Sequence, residues 1–510
     1  MAILLSLVAG LPARAQDGPF PRNMVQPALQ QAFTAILERH LEPAAPADLA
    51  LWSLRGLGAV DTRLSAEVVS GLLRLTLGDR LLAELLAPAQ PLQPGTPPGA
   101  ARPEARPPAD VLASTLTEFY AAAWAASPVL RHAGAERMLQ AGFDELFNHL
   151  DPYSRYVTAQ DALEARERRV GQSSLGLRLA GGRRNVVIIA SVVPDGPAAR
   201  AGLREGDQLL SIDGYPVSAR RITEAAELLE GYTDTEVSLG LRRGNRRLTI
   251  SLRRSSQPSQ TVRAERSDGL LWLRVSHFSA QTTDDLSTAL LDAFSGPQAP
   301  RGVVLDLRGN RGGVLMQAMS VADLFLTDGP VASSLGRHPD SVRNWRAAGR
   351  DQAQGRPVVV LVDGRTASSA EIVTAALSDR GRAVVVGSST LGKGLIQIVV
   401  PLSNGAEVLI SWSRVLAPLG WPVQGLGVQP ALCTSLGLDA VQAELAQLFA
   451  GQAPRAAVLA RLRAARAPVP ASEVSALRNT CPPAEGRELD AEVAKVLMDR
   501  PGAYGTALAR

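Results

Sequence analysis

Three apolar runs narrow the fold more than anything else in these 510 residues. They are Gly302-Val303-Val304-Leu305-Asp306-Leu307, Pro357-Val358-Val359-Val360-Leu361-Val362 and Ala383-Val384-Val385-Val386-Gly387. A strand with one wet face alternates polar and apolar residues. A strand apolar along most of its length is buried on both faces, as in parallel sheets covered by helices. Helical spacing at residues 314–325 and 371–379 separates these runs. A further pair precedes them, the strand Leu271-Trp272-Leu273-Arg274-Val275 and a helix over residues 283–294. Strands alternating with helices predict a largely parallel sheet with helices on its faces.

The loops after these strands carry the chemistry. The first run ends in Arg308-Gly309-Asn310-Arg311-Gly312-Gly313, and the second enters Thr366-Ala367-Ser368-Ser369-Ala370-Glu371. The third leads through Leu391 to Gly392-Lys393-Gly394, with Gln397 beyond. A serine where a strand turns into a helix is exposed, and helix-terminal amides point at it. Lysine ordinarily titrates near about 10.4, so it serves as a base only where burial disfavours its charge. The predicted roles are Ser368 as nucleophile, Lys393 as general base and Gln397 orienting the amine. The Ser369 N–H and the Gly312-Gly313 pair are the predicted oxyanion donors, each such donor being worth about 10²–10³ in rate. Ser369 is the alternative nucleophile. Each signal alone also fits a bland reading, a small serine turn or a solvated lysine loop. His277, with Asp284 and Asp285 near it in sequence, supports a rival His-dependent mechanism or a plain loop histidine.

Residues 174–254 have a different character. Leu175-Gly176-Leu177 is followed by short strands, then by Gly196-Pro197-Ala198-Ala199-Arg200-Ala201-Gly202-Leu203 and Gly206-Asp207-Gln208-Leu209-Leu210-Ser211-Ile212-Asp213-Gly214. A helix at residues 222–230 and two strands around Gly244 close the unit. This pattern resembles a PDZ domain. The resemblance implies that a peptide C-terminus adds as an edge strand, its carboxylate held by backbone amides of the Leu175-Gly176-Leu177 loop.

The segments DLRGNRGG, GRTASSAEI and GKGLIQ, with LDPYSRYV upstream and QGLGVQP downstream, resemble the carboxy-terminal processing or tail-specific proteases. The resemblance covers roughly residues 136–430 and implies a crotonase- or ClpP-like α/β core with Ser368, Lys393 and Gln397 in the catalytic roles. It implies protein substrates cut near their C-termini, presented by the PDZ-like unit, and no cofactor or metal. The chain departs from the family pattern at Ser369, where alanine is usual, and at Arg308-Gly309-Asn310-Arg311, though the glycine pair stays. Two other classes remain beside it: a non-catalytic adaptor on a degenerate core, and an acyl-CoA enzyme by fold analogy alone.

The fold expected is multidomain α/β. Its parts are a signal peptide at 1–15, a helical N-terminal region at 16–86, a proline-rich linker at 87–110, a helical region at 111–173, the PDZ-like domain at 174–254, the core at 255–430 and a helical tail at 431–510. The signal reading rests on an apolar run at 2–10, too short for a bilayer, before Ala13-Arg14-Ala15. It places the protein in the periplasm or otherwise outside the cytoplasm, with no stable membrane span. The linker holds eight prolines. Leu72, Leu73, Leu75 and Leu77 fit helical spacing in the N-terminal region. In an oxidising compartment Cys433 and Cys481 form one disulfide; two buried thiols are the alternative. Basic clusters at 166–169 and 242–247 lack interleaved aromatics, so nucleic acid is not an expected partner. An adaptor protein and a homo-oligomer are the further partners considered, the latter because tail helices can serve as dimerisation arms in enzymes of the kind this sequence resembles.

Overall fold

The computed structural model describes residues 18–88, 107–162, 173–182, 185–192, 196–219, 222–229, 235–256 and 261–508. The signal segment, most of the proline-rich stretch and the basic cluster at 166–169 lie outside these residues. The chain divides into two compact units, one formed by residues up to 160 together with those from 261 onward, the other by residues 161–260.

The larger unit opens with helices α1 (Arg22–Arg39) and α2 (Pro46–Arg55). Three strands follow, β1 (Leu64–Val69), β2 (Leu72–Leu77) and β3 (Arg80–Leu86), paired antiparallel in sequence order. This corrects the expectation of an all-helical N-terminal region. Ser70 and Gly71 both have positive φ, 51° and 81°, and close a two-residue hairpin; Gly78 (φ 58°) opens the next. Leu73 and Leu75 then alternate into the core. Helix α3 (Pro108–Ala126) begins inside the stretch expected to be linker, because proline is tolerated in a first helical turn where its missing N–H is not needed. Helices α4 (Pro128–Ala133) and α5 (Ala135–Asn148) and strand β4 (Arg155–Val157) complete this part.

The smaller unit contains β5 (Ser173–Ser174), β6 (Leu177–Gly181), β7 (Val187–Val192), α6 (Pro197–Arg200), β8 (Gln208–Ile212) and β9 (Tyr215–Pro216). It continues with α7 (Ile222–Leu229), β10 (Glu236–Arg243), β11 (Arg246–Arg253) and β12 (Ser255–Ser256). The main sheet runs β11-β10-β8-β7-β6 around a core that includes Ile189, Leu209, Ile212 and Leu239. Among the described strands β6 pairs only with β7, and α7 packs beside it. Its outer edge therefore has no partner among the described strands.

The rest of the larger unit comprises β13 (Val262–Ser267), β14 (Leu270–Val275), α8 (Thr282–Phe294), β15 (Gly302–Asp306), α9 (Leu315–Asp323), β16 (Pro330–Leu335), β17 (Arg343–Arg346), β18 (Val358–Val362), α10 (Ser369–Asp379) and β19 (Val384–Gly387). Then come β20 (Leu395–Pro401), β21 (Glu407–Leu416), β22 (Leu432–Cys433), α11 (Leu438–Phe449), α12 (Ala456–Ala464), α13 (Ala471–Arg478), α14 (Glu488–Asp499) and α15 (Pro501–Leu508). The sheet β13-β14-β15-β18-β19-β22 is parallel from β14 onward, and every residue of β15, β18 and β19 is buried. Helices α8, α9 and α10 cover one face. Residues of α11, α14 and α15 cover the other, with Val493, Leu497 and Tyr504 packed on Val304, Val359 and Val386. The tail is thus a layer of the core and supplies its last strand. Cys433 of β22 is disulfide-bonded to Cys481. A second sheet, β17-β16-β21-β20 with β4 on β21, packs against the N-terminal helices. Among the described residues no helix is long and apolar enough to cross a membrane.

Candidate active site

Strand β18 stops at Val362, and after six intervening residues the chain reverses into α10. Asp363 organises the turn: its Oδ1 accepts from the N–H groups of Gly309, Arg365 and Thr366. Thr366 Oγ1 donates to the Leu307 carbonyl at 2.9 Å, and the Ala367 N–H donates to that of Asn310. Ser368 follows at φ 56°, ψ −121°. A non-glycine residue at positive φ is uncommon and persists only where its surroundings hold it. The result is a half-buried serine at the mouth of a helix N-terminus.

Ser369 has a different environment. It is buried, and its hydroxyl donates to the Gly313 carbonyl at 3.1 Å. Gly312 lies against the serine turn with φ 97°; a Cβ there would sit 2.8 Å from the Ser368 Cβ. The Gly312 N–H is donated to Asn310 Oδ1 at 2.8 Å, so this glycine gives clearance rather than a free donor. Phe278 pairs with Gly313 in a parallel bridge, bonding the Gly312 carbonyl and the Val314 N–H. The Gly313 carbonyl in turn meets Ser369 Oγ at the start of α10.

Gly392-Lys393-Gly394 reaches the same point from the other side. Gly394 has no room for a side chain, since a Cβ would lie 2.3 Å from the Gln424 N. The loop is held by Gly394 N–H to Gln424 Oε1 and Gly425 N–H to the Gly392 carbonyl, both at 2.9 Å. Arg478 of α13 donates to the carbonyls of Thr390 (2.8 Å) and Leu426 (3.1 Å). Ser389 donates its N–H and hydroxyl to the Cys481 carbonyl. Burial holds the Lys393 amine below its ordinary range. The positive charge of Arg155 adds to this, and Glu371 opposes it.

Glu371 joins the two halves. Fully buried on the first turn of α10, it accepts from the Ser368 N–H (2.8 Å), the Lys393 N–H (2.8 Å), the Gly392 N–H (2.6 Å) and Thr390 Oγ1 (2.5 Å). Burial raises its pKa, and the four donors oppose that rise. All four contacts are donors, so the residue acts as a carboxylate acceptor. Gln397 lies on β20, and its Nε2 donates to the Tyr153 carbonyl; no bond to the Lys393 amine is seen among the described residues. His277 sits exposed beyond β14, with Ser276 Oγ 3.2 Å from its Nδ1 and no carboxylate bonded to it among the described residues. Leu175 and Gly176 lead into β6, which begins at Leu177, and Gly176 has φ 69°.

Sequence reasoning assigned no role to Glu371, Asn310, Tyr153 or Arg478. Two signals in the sequence bear on this site. Glu371 stands three residues after Ser368, the spacing of a capping box. Of 53 basic residues only Lys393 and Lys495 are lysines; the other 51 are arginines, which cannot act as bases.

A strand-turn-helix serine and a half-buried lysine whose backbones share one buried carboxylate, on a mixed α/β core, are the features that a serine-type peptidase would need. Residues 269–432 match Peptidase family S41, and residues 188–243 match a PDZ domain. A carboxy-terminal-processing protease of Bartonella bacilliformis is 32% identical over 300 residues, 58% of this chain and 69% of that protein. The chain belongs to this family of carboxy-terminal processing serine proteases. The CtpA of Bacillus subtilis is 29% identical over 56% of this chain and 61% of its own length. A probable CtpA-like serine protease of Staphylococcus epidermidis is 28% identical over 59% and 61%. The chain thus spans about three fifths of the length of these two relatives. Among solved structures, a photosystem II D1 C-terminal processing protease is 27% identical over 61% of this chain and 86% of its own, with a TM-score of 0.38.

Proposed function

We propose that this protein is an exported serine endopeptidase that cuts protein substrates near their C-termini, with the PDZ-type unit taking the substrate tail. The observation that carries the catalytic part is the shared carboxylate. Glu371 binds the backbones of Ser368 and Lys393, bringing together residues 25 positions apart. The neutral Lys393 amine takes the Ser368 hydroxyl proton as Oγ attacks the scissile carbonyl carbon. The N–H groups of Ser369 and Gly313 hold the oxyanion. Lys393 then gives its proton to the leaving amine, and the acyl-enzyme forms. Water enters, Lys393 takes its proton, and the acid product leaves Ser368 with its hydroxyl restored. The burial and hydrogen bond of Ser369 Oγ favour Ser368 as the attacking residue. Cys433–Cys481 is consistent with an oxidising compartment.

The test is degradation of an unstructured protein carrying different C-terminal residues by wild type, Ser368→Ala, Lys393→Ala and Lys393→Arg. Each variant is expected to lose about 10⁴-fold or more in kcat/KM, as in other enzymes that lose a nucleophile or its base. Rates independent of the C-terminal residue would remove the tail-presenting role. Binding of the tail peptide without cleavage by wild type would favour the adaptor reading.

A further inference from the structure

The LDPYSRYV segment precedes the smaller unit by only a few residues, yet it bears on the Lys393 niche. Asp151 fixes it in place. The carboxylate accepts from the N–H groups of Tyr153 (2.9 Å) and Ser154 (3.0 Å) and from the hydroxyls of Ser154 and Ser411, and it faces His40 Nε2 at 3.0 Å. Burial would raise the Asp151 pKa, but these bonds outweigh it and hold the group well below the carboxylate range. The turn is therefore tied at once to the end of α1 and to β21. Beyond it β4 pairs Arg155, Tyr156 and Val157 with Leu409, Val408 and Glu407.

Two contacts point from this turn into the site. The Tyr153 ring lies 5.2 Å from the Lys393 ammonium nitrogen, measured to the ring centroid. The Tyr153 carbonyl accepts from Gln397 Nε2. A carbonyl can only accept, so this bond fixes which way the Gln397 amide faces and leaves its Oε1 to receive an N–H. We propose that Tyr153 is a positioning residue for the reaction: its ring walls the Lys393 amine from water, and its carbonyl sets the amide of Gln397. This rests on the Ser368–Lys393 reading of the site.

The charged groups acting on the Lys393 amine are Arg155, on β4, and Glu371, on α10. An aromatic face attracts an ammonium, whereas its exclusion of water favours the neutral amine. Desolvation is the largest influence on Lys393. Opening the wall is therefore expected to raise the lysine pKa. Activity needs the neutral amine, so the acid limb of the pH–rate profile would move to higher pH.

Only two lysines occur in the chain, so lysine labelled with ¹³C at Cε gives two signals, and Lys495→Arg assigns them. The full-length protein is titrated by NMR, and kcat/KM is followed against pH for wild type, Tyr153→Ala, Tyr153→Phe and Arg155→Gln. In Tyr153→Ala the Lys393 midpoint and the acid limb are expected to rise together, with kcat/KM at neutral pH down about 10²-fold, the usual effect of loosened alignment. Tyr153→Phe, which keeps the ring, is expected to restore both. Arg155→Gln, an exposed change that spares the ring, is expected to raise the midpoint too. The proposal is overturned if Tyr153→Ala loses stability or rate while the Lys393 midpoint stays at or below its wild-type value. Should Ser368→Ala cleave as well as wild type, the reading of the site would fall, and the titration would still decide where Tyr153 acts.

Discussion

Serine and lysine reach one carboxylate by opposite means. Ser368 stands in the turn that follows a fully buried strand and is held by the loops at the ends of β18 and β15, through Asp363, Thr366 and Asn310. Lys393 sits in an irregular loop, and its supports come from far along the chain: Gln424, Arg478 and Cys481 on one side, the Tyr153 turn on the other. The nucleophile is placed by the core sheet, while the base is placed by agreement among distant segments. Destabilising the periphery should thus damage the base long before the nucleophile.

The change that should damage both sides most is Glu371→Gln. The new amide would direct N–H groups at donors, leaving buried groups unpaired at a cost of roughly 1–3 kcal/mol. It is expected to lower kcat/KM about 10²-fold through lost alignment. Hydrogen exchange should speed up in both 363–372 and 388–396. Protection of either segment at wild-type level would show that the carboxylate does not join them. Arg478→Met should separate the two sides. It strips the donor from the Thr390 and Leu426 carbonyls, so faster exchange is expected at 388–396 but not at 363–372, with kcat/KM down about tenfold, or about 1.4 kcal/mol. Equal loosening of both segments would erase the contrast. The smallest effect is expected for His277→Ala: an exposed residue outside the proposed proton path should leave kcat/KM within about twofold, a surface-scale change of under about 0.5 kcal/mol. A loss of several hundredfold would instead bring back the His-dependent mechanism.

The parallel sheet was legible because a doubly buried strand leaves a run of valines and leucines that little else explains. The N-terminal hairpins were not. Leu72, Leu73, Leu75 and Leu77 satisfy helical and alternating patterns alike, and only the turns at Ser70-Gly71 and Gly78-Asp79 discriminate. The proline tract hid the start of α3 for a related reason, since a proline that ends one element also opens another. At the site, the reacting side chains announced themselves through glycine-flanked motifs. Glu371 showed only its capping-box spacing from Ser368; its meeting with Lys393, and those of Tyr153 and Arg478 with their partners, join positions 22, 240 and 88 apart, and no local pattern encodes them.

The last strand and one whole face of the central sheet come from residues 432–508. The same segment that covers Val304, Val359 and Val386 also supplies Arg478 and Cys481 to the loop bearing Lys393. One stretch of chain thus both packs the sheet and arms the base, so the lysine loop is only as firm as the layer behind it.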